Sequence, residues 1–174
     1  MTRPGLVLLG GLPGTGKSTV AVPLARELRA AYLRIDSIEQ ALLDSGELPE
    51  PPRAAGYLAG YALARDQLAI GLPVVAECVN PLKITRDAWK NLGDRYGEWT
   101  LEVELVCSRP DEHRARVENR TADIDGLELP TWQQVLERHY EPWEREHLVI
   151  DTAASSVAES VEVILGHTAA LADR

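Results

Sequence analysis

From Gly11 the chain reads Gly-Leu-Pro-Gly-Thr-Gly-Lys-Ser, the spacing G-x-x-x-x-G-K-S, and this run constrains the fold more than any other part of the sequence. Glycines at 11, 14 and 16 let a backbone come close to a ligand and take positive φ. The amides of such a loop converge into an anion-binding nest. Lys17 adds a full positive charge for β- and γ-phosphates, and Ser18 offers a hydroxyl to Mg²⁺. The loop runs from Gly11 through Pro13, Gly14, Thr15, Gly16, Lys17 and Ser18 to Thr19, and it is the expected seat of ATP. Its flanks agree: Leu6–Leu9 is a short apolar run suited to a buried parallel strand. After it, Val20, Val22, Leu24 and Leu28 suit a helix whose N-terminus would face the phosphates. Pro23 falls near the end of that helix's first turn, where it would loosen the backbone locally.

The rest of the chain alternates short apolar runs with amphipathic ones. Strands are expected at Tyr32–Asp36, Pro73–Glu77, Trp99–Cys107 and Leu148–Ile150. Helices are expected at 36–44, 54–70 (ending at Gly71), 85–95, 110–120 (Pro110 in its first turn), 131–140 and from Ser155 or Ser156 to about 170. Residues 45–53, with Gly46, Pro49, Pro51 and Pro52, and the irregular 121–130 read as loops. Strands alternating with helices predict an α/β domain with a parallel sheet covered on both faces, over residues 1–174. The ligand is then expected at the carboxyl ends of the strands.

Composition narrows the function. The 174 residues carry 27 acids against 18 bases, a formal charge of -9. That disfavours a protein gripping nucleic acid through a broad basic surface and says nothing against ATP, which is bound locally. Cys78 and Cys107 form no C-x-x-C pair; Cys107 reads as a buried free thiol, and a reducing cytoplasm is the expected setting. No run approaches the ~20 apolar residues of a membrane span. The four histidines lack metal-ligand spacing and read as surface or helix-end residues.

Three places can carry chemistry around a γ-phosphate. Asp36, expected at the end of the second strand, can accept the proton of an attacking hydroxyl; with Glu39 it also reads as a capping box. Glu77 closes a buried strand beside the loop, where it can hold Mg²⁺ through water or bind the acceptor; Asn80 and Arg86 lie just beyond as acceptor-pocket candidates. Arg116 and Arg120 are four apart, hence on one helix face. Guanidinium groups there can stabilise the charge of a transferring phosphoryl group, with the segment from about 114 to 130 as a lid.

With these residues in view, the sequence resembles the small P-loop kinases. It is closest to the chloramphenicol phosphotransferase-like proteins, with zeta toxins, gluconate kinases and the kinase domain of polynucleotide kinases as relatives. The resemblance implies a five-stranded parallel sheet in the order 2-3-1-4-5 and Asp36 as general base. It also implies that Arg116 stacks on adenine, that Arg120 touches phosphate, and that Thr152 and Ala153 approach the adenine. The expected activity is transfer of the γ-phosphoryl of Mg·ATP to a hydroxyl of a small molecule. A polynucleotide 5′-hydroxyl kinase and an ATPase without an acceptor are the alternatives. A GTPase would show N-K-x-D, which is absent, and a AAA+ motor would need a longer chain and an Asp-Glu pair where Glu77 stands alone.

Overall fold

The computed structural model describes residues 4–47 and 54–173. Five strands and seven helices follow in the order β1 (Gly5–Gly10), α1 (Lys17–Leu28), β2 (Ala31–Arg34), α2 (Ile35–Asp44), α3 (Ala55–Ala69), β3 (Val74–Glu77), α4 (Lys83–Tyr96), β4 (Trp99–Val106), α5 (Pro110–Glu118), α6 (Trp132–Glu137), β5 (Leu148–Asp151) and α7 (Val157–Ala172). The strands pair in parallel in the order β2-β3-β1-β4-β5. This is the expected three-layer arrangement. Most of the loop expected at 45–53 lies outside the described residues.

Every residue of β1 is buried, because a central parallel strand has helices on both faces. Its side chains alternate between two cores. Val7 and Leu9 meet Val20 and Leu24 of α1 and Ile164 of α7. Leu6 and Leu8 meet Ala64 and Leu68 of α3 and Trp89 of α4. Each fully buried Leu or Val stabilises the fold by roughly 1.5–3 kcal/mol. The two cores therefore hold β1, and the loop that leaves it, between packed layers. Pro23 sits inside α1, which continues through it.

Several boundaries differ from expectation. Strand β2 ends at Arg34, so Asp36 is the second residue of α2 and not the last of a strand. The Asp36–Glu39 capping box does not form: α2 is capped by Arg34, whose side chain makes no cap bond. Helix α6 stops at Glu137, and residues 138–147 run on as a strap beside β4. Arg145 of this strap pairs with Glu102, and Tyr140 and His147 bond Glu104. Those acidic residues thus face a polar cover, with Glu102 buried. True boxes form where Thr131 caps α6 with Gln134 and Ser156 caps α7 with Glu159. Of the two free thiols, Cys78 is the buried one, while Cys107, beyond the end of β4, is only half-buried. Among the described residues no helix is long and apolar enough to cross a membrane.

Candidate active site

The strand order brings the carboxyl ends of β1, β3 and β2 side by side, with Glu77 opposite Leu9 on one flank and Arg34 on the other. The loop after β1 opens onto a cavity of about 1180 Å³ lined by Pro13, Gly14, Gly16, Lys17, Ser18 and Thr19. That exceeds the usual few hundred to ~1,000 Å³ of a single small-molecule site.

Two glycines in the loop are dictated by contact as well as by conformation. Gly11 has φ 142°, and a Cβ there would lie 2.3 Å from the Leu105 carbonyl oxygen. Gly14 has φ 81°, and its Cβ would lie 2.5 Å from Val117 of α5. Helix α5 thus presses directly on the loop. Its His113 Nε2–H donates to the Pro13 carbonyl at 2.8 Å, and its ring meets the edge of Trp132. His113 is buried, against the expectation of a surface position. No spacing betrays it, because its partner is a backbone carbonyl a hundred residues away.

Lys17 is buried, and its Nζ donates to the carbonyls of Gly11 at 2.8 Å and Leu12 at 2.9 Å. An ammonium has three donors, so one remains for a phosphate oxygen. Burial lowers its pKa, and the nearby charges of Glu77 and Asp36 oppose that. Ser18 Oγ and the Tyr32 hydroxyl each donate to one oxygen of Glu77. Burial first, and then Glu77, raises the Tyr32 pKa, so the phenol stays a donor. Glu77 was among the candidates for the acceptor pocket. The structure places it on the cavity wall beside Lys17 and Ser18, with both carboxylate oxygens engaged.

Asp36 lines the same cavity as Lys17, as do Arg116, Arg120 and Thr152. Arg116 is braced: it donates to Thr152 Oγ1 at 2.7 Å, the Thr152 carbonyl at 2.9 Å and Glu112 at 2.6 Å. Thr152 in turn bonds the Thr15 carbonyl, joining the 152 turn to the phosphate loop. Arg120 is less engaged, 3.7 Å from Asp123, and its charge reaches Lys17. Ala153 is buried behind Thr152 and does not line the cavity; its carbonyl accepts from Arg109.

Asn80 and Arg86 also fail to line the cavity. Asn80 adopts φ 54°, its N–H donates to the Tyr57 hydroxyl, and its buried amide side chain has no hydrogen-bond partner among the described residues. Arg86 is buried too, bonding the carbonyls of Asn80 and Pro142 beneath the Trp143 ring. Arg86 ties the strap to the Asn80 turn before α4, and neither residue lines the cavity in which an acceptor was expected to meet them. The segment after α5 crosses the cavity instead, contributing Thr121, Asp123, Leu127, Glu128, Leu129 and Pro130. Asp123 fastens it to β2 through a two-pronged ion pair with Arg34, at 2.7 and 2.9 Å. Hydrogen bonding from Arg34 holds the Asp123 carboxyl down at about 2.

A family model described as an AAA domain matches residues 6–142. The chain belongs to this AAA_33 family. A curated relative from Aeropyrum pernix, named a probable adenylyl-sulfate kinase, is 25% identical over 164 residues, covering 91% of this chain and 89% of its own. Among solved structures, a gluconokinase of Sinorhizobium meliloti superposes with a TM-score of 0.66 at 24% identity, covering 99% of this chain and 96% of its own. The APS kinase of Mycobacterium tuberculosis, solved with AMPPNP and APS, gives 0.68 at 21% identity, covering 95% and 98%. These likenesses fix the fold of this AAA_33 member as that of a P-loop nucleotide-binding domain.

Proposed function

We propose that the protein is an ATP-dependent kinase that moves the γ-phosphoryl group of Mg·ATP to a hydroxyl of a small molecule, with Asp36 as general base. One observation carries the reading: Asp36, Lys17, the Ser18–Glu77 pair and Arg120 all border one continuous cavity with room for two ligands. The names of the relatives, an adenylyl-sulfate kinase and a gluconokinase, support the same reaction class. The finer likeness to chloramphenicol phosphotransferase-like proteins stays part of this proposal.

In this mechanism the loop amides and the third donor of Lys17 bind the β- and γ-phosphates. Asp36 takes the proton as the acceptor oxygen bonds to phosphorus and the bond to the β,γ-bridging oxygen breaks, leaving ADP. Arg120 offsets charge on the transferring group, while Arg116 and Thr152 flank the nucleoside end. The segment after α5 acts as the lid that excludes water. Ser18 Oγ and the Glu77 carboxylate are hard oxygen donors of the kind Mg²⁺ accepts alongside phosphate oxygens, so they fit as its holders. When bound, the ion would neutralise phosphate charge.

The test is a screen of hydroxyl-bearing metabolites and antibiotics for acceptor-stimulated ADP release. Lys17→Ala is expected to lose nucleotide turnover. Asp36→Asn is expected to bind ATP normally and lose transfer by about 10²–10⁴-fold. Undiminished transfer by Asp36→Asn on the acceptor so found would refute the base assignment.

A further inference from the structure

The cavity has two chemically different ends. The nucleotide end carries the bases Lys17, Arg116 and Arg120. The far end is built by α2, α3 and α4, and its wall is apolar and aromatic: Tyr57, Leu58, Tyr61, Leu82 and Ile84, with Leu129 of the crossing segment also lining the cavity. The tyrosine hydroxyls turn to the scaffold, Tyr57 accepting from the Asn80 N–H and Tyr61 donating to the Thr85 carbonyl. Leu58 and Ile84 remain 63% and 73% exposed at the rim, which extends the apolar wall outward.

Into this apolar end face two carboxyl groups, Asp36 and Glu39. They lie three residues apart on α2, hence on one face, with Cβ atoms about 5–6 Å apart. Neither has a hydrogen-bond or ion-pair partner among the described residues. Glu39 is backed by Gly56 of α3, where a Cβ would lie 2.2 Å from the Glu39 Cγ, so α3 fixes its stem. Among the described residues, the basic side chain lining this end is Arg138, which is exposed, and its charge is the last-ranked influence on the Glu39 carboxyl. Glu128 of the crossing segment adds a further acid to the lining. Among the described residues, an anionic acceptor at this end would meet Asp36, Glu39 and Glu128, with Arg138 as the cation on the apolar side of Asp36.

We propose that the acceptor is an amphipathic amino alcohol, its hydroxyl at Asp36, its cationic amine on Glu39 and its apolar body against the Tyr57–Leu58–Ile84 wall. The spacing of the two carboxyl groups fits a hydroxyl and an amine on neighbouring carbons. The aromatic rings beside them favour a cation over an anion. This inference rests on the kinase reading above and narrows it to a substrate class.

Binding and transfer are measured separately with three matched primary alcohols: phenylalaninol, its uncharged N-acetyl derivative, and the carboxylate tropate. Binding is followed by calorimetry with a non-hydrolysable ATP analogue and Mg²⁺ present, transfer by ADP release with ATP. The expected order in both is amine, then neutral, then anion. Glu39→Gln, which keeps the side-chain volume, should cut the amine-over-neutral preference at least tenfold. Ile84→Lys, a substitution at an exposed position, should weaken the amine and improve tropate. Preference for tropate, equal use of all three, binding of none, or an unchanged ranking in Glu39→Gln would overturn the proposal. Amine-selective binding without any transfer would uphold the recognition and overturn the kinase reading, so the two failures are distinct.

Discussion

Replacing Glu39 by glutamine should change how stability depends on pH. Burial, and secondarily the Asp36 charge, raises the Glu39 carboxyl from the usual 4.5 to about 7. A raised folded-state value means that the folded protein holds this proton more tightly than the unfolded chain does. The associated stability is fully present below the unfolded value and is lost as pH rises through about 7. Moving from 4.5 to about 7 corresponds at most to about 3.4 kcal/mol. Because the group is partly open to the cavity, solvent screening brings this to about 1–2 kcal/mol. Glutamine does not titrate, so the stability of Glu39→Gln relative to the wild type should rise by about 1–2 kcal/mol between pH 4.5 and pH 8. For a chain of this size that is roughly 2–8 °C in Tm. Urea unfolding of both proteins across this range, without ligand, reads it directly. A wild-type-to-variant difference that stays constant with pH, or that moves against glutamine at high pH, would refute the placement of Glu39 as a carboxyl shielded by α2 and α3.

Two further outcomes follow from the site. Tyr32→Phe removes one of the two hydroxyls that donate to Glu77; a loss of about 1–3 kcal/mol and a higher Mg²⁺ requirement for turnover are expected, and an unchanged Mg²⁺ titration would separate Tyr32 from the ion's site. A double-mutant cycle of Arg34→Ala and Asp123→Ala should give a coupling of about 1 kcal/mol, since Asp123 is more than half exposed, and the depressed Asp123 carboxyl makes this contribution vanish as pH falls from about 4 through about 2; a coupling unchanged in molar salt or in acid would contradict an ion pair.

Much of the site's nucleotide half is written in consecutive residues. A loop that folds around phosphate is a local object: its glycines, lysine and serine act on a ligand from within eight positions, so spacing alone exposes them. Hydrophobic runs at 6–9 and 74–76 likewise state their own burial, and alternation of strands with helices leaves little choice of layer. The Asp36 position was misjudged by two residues. What decides whether a carboxylate ends a strand or opens a helix is where pairing with β3 stops, and that happens at Arg34 opposite Glu77.

The rest of the cavity was far less legible. Asn80 and Arg86 look like pocket residues when judged by their distance along the chain from Glu77. Both are buried, and the 138–147 strap, more than fifty residues on, meets Arg86 with the Pro142 carbonyl and the Trp143 ring. His113 is drawn inside by a carbonyl a hundred residues away. In the same way, Glu39 reads in sequence as a helix cap, and only the approach of α3 through Gly56 makes it a shielded carboxyl facing a cavity. The sequence by itself thus determined the phosphate loop and the parallel α/β layering, because those rest on local geometry and apolar periodicity. The tertiary structure alone decided which charged side chains line the cavity and which are buried in the scaffold, because burial and pairing of a charge depend on the elements folded against it and not on its neighbours in the chain.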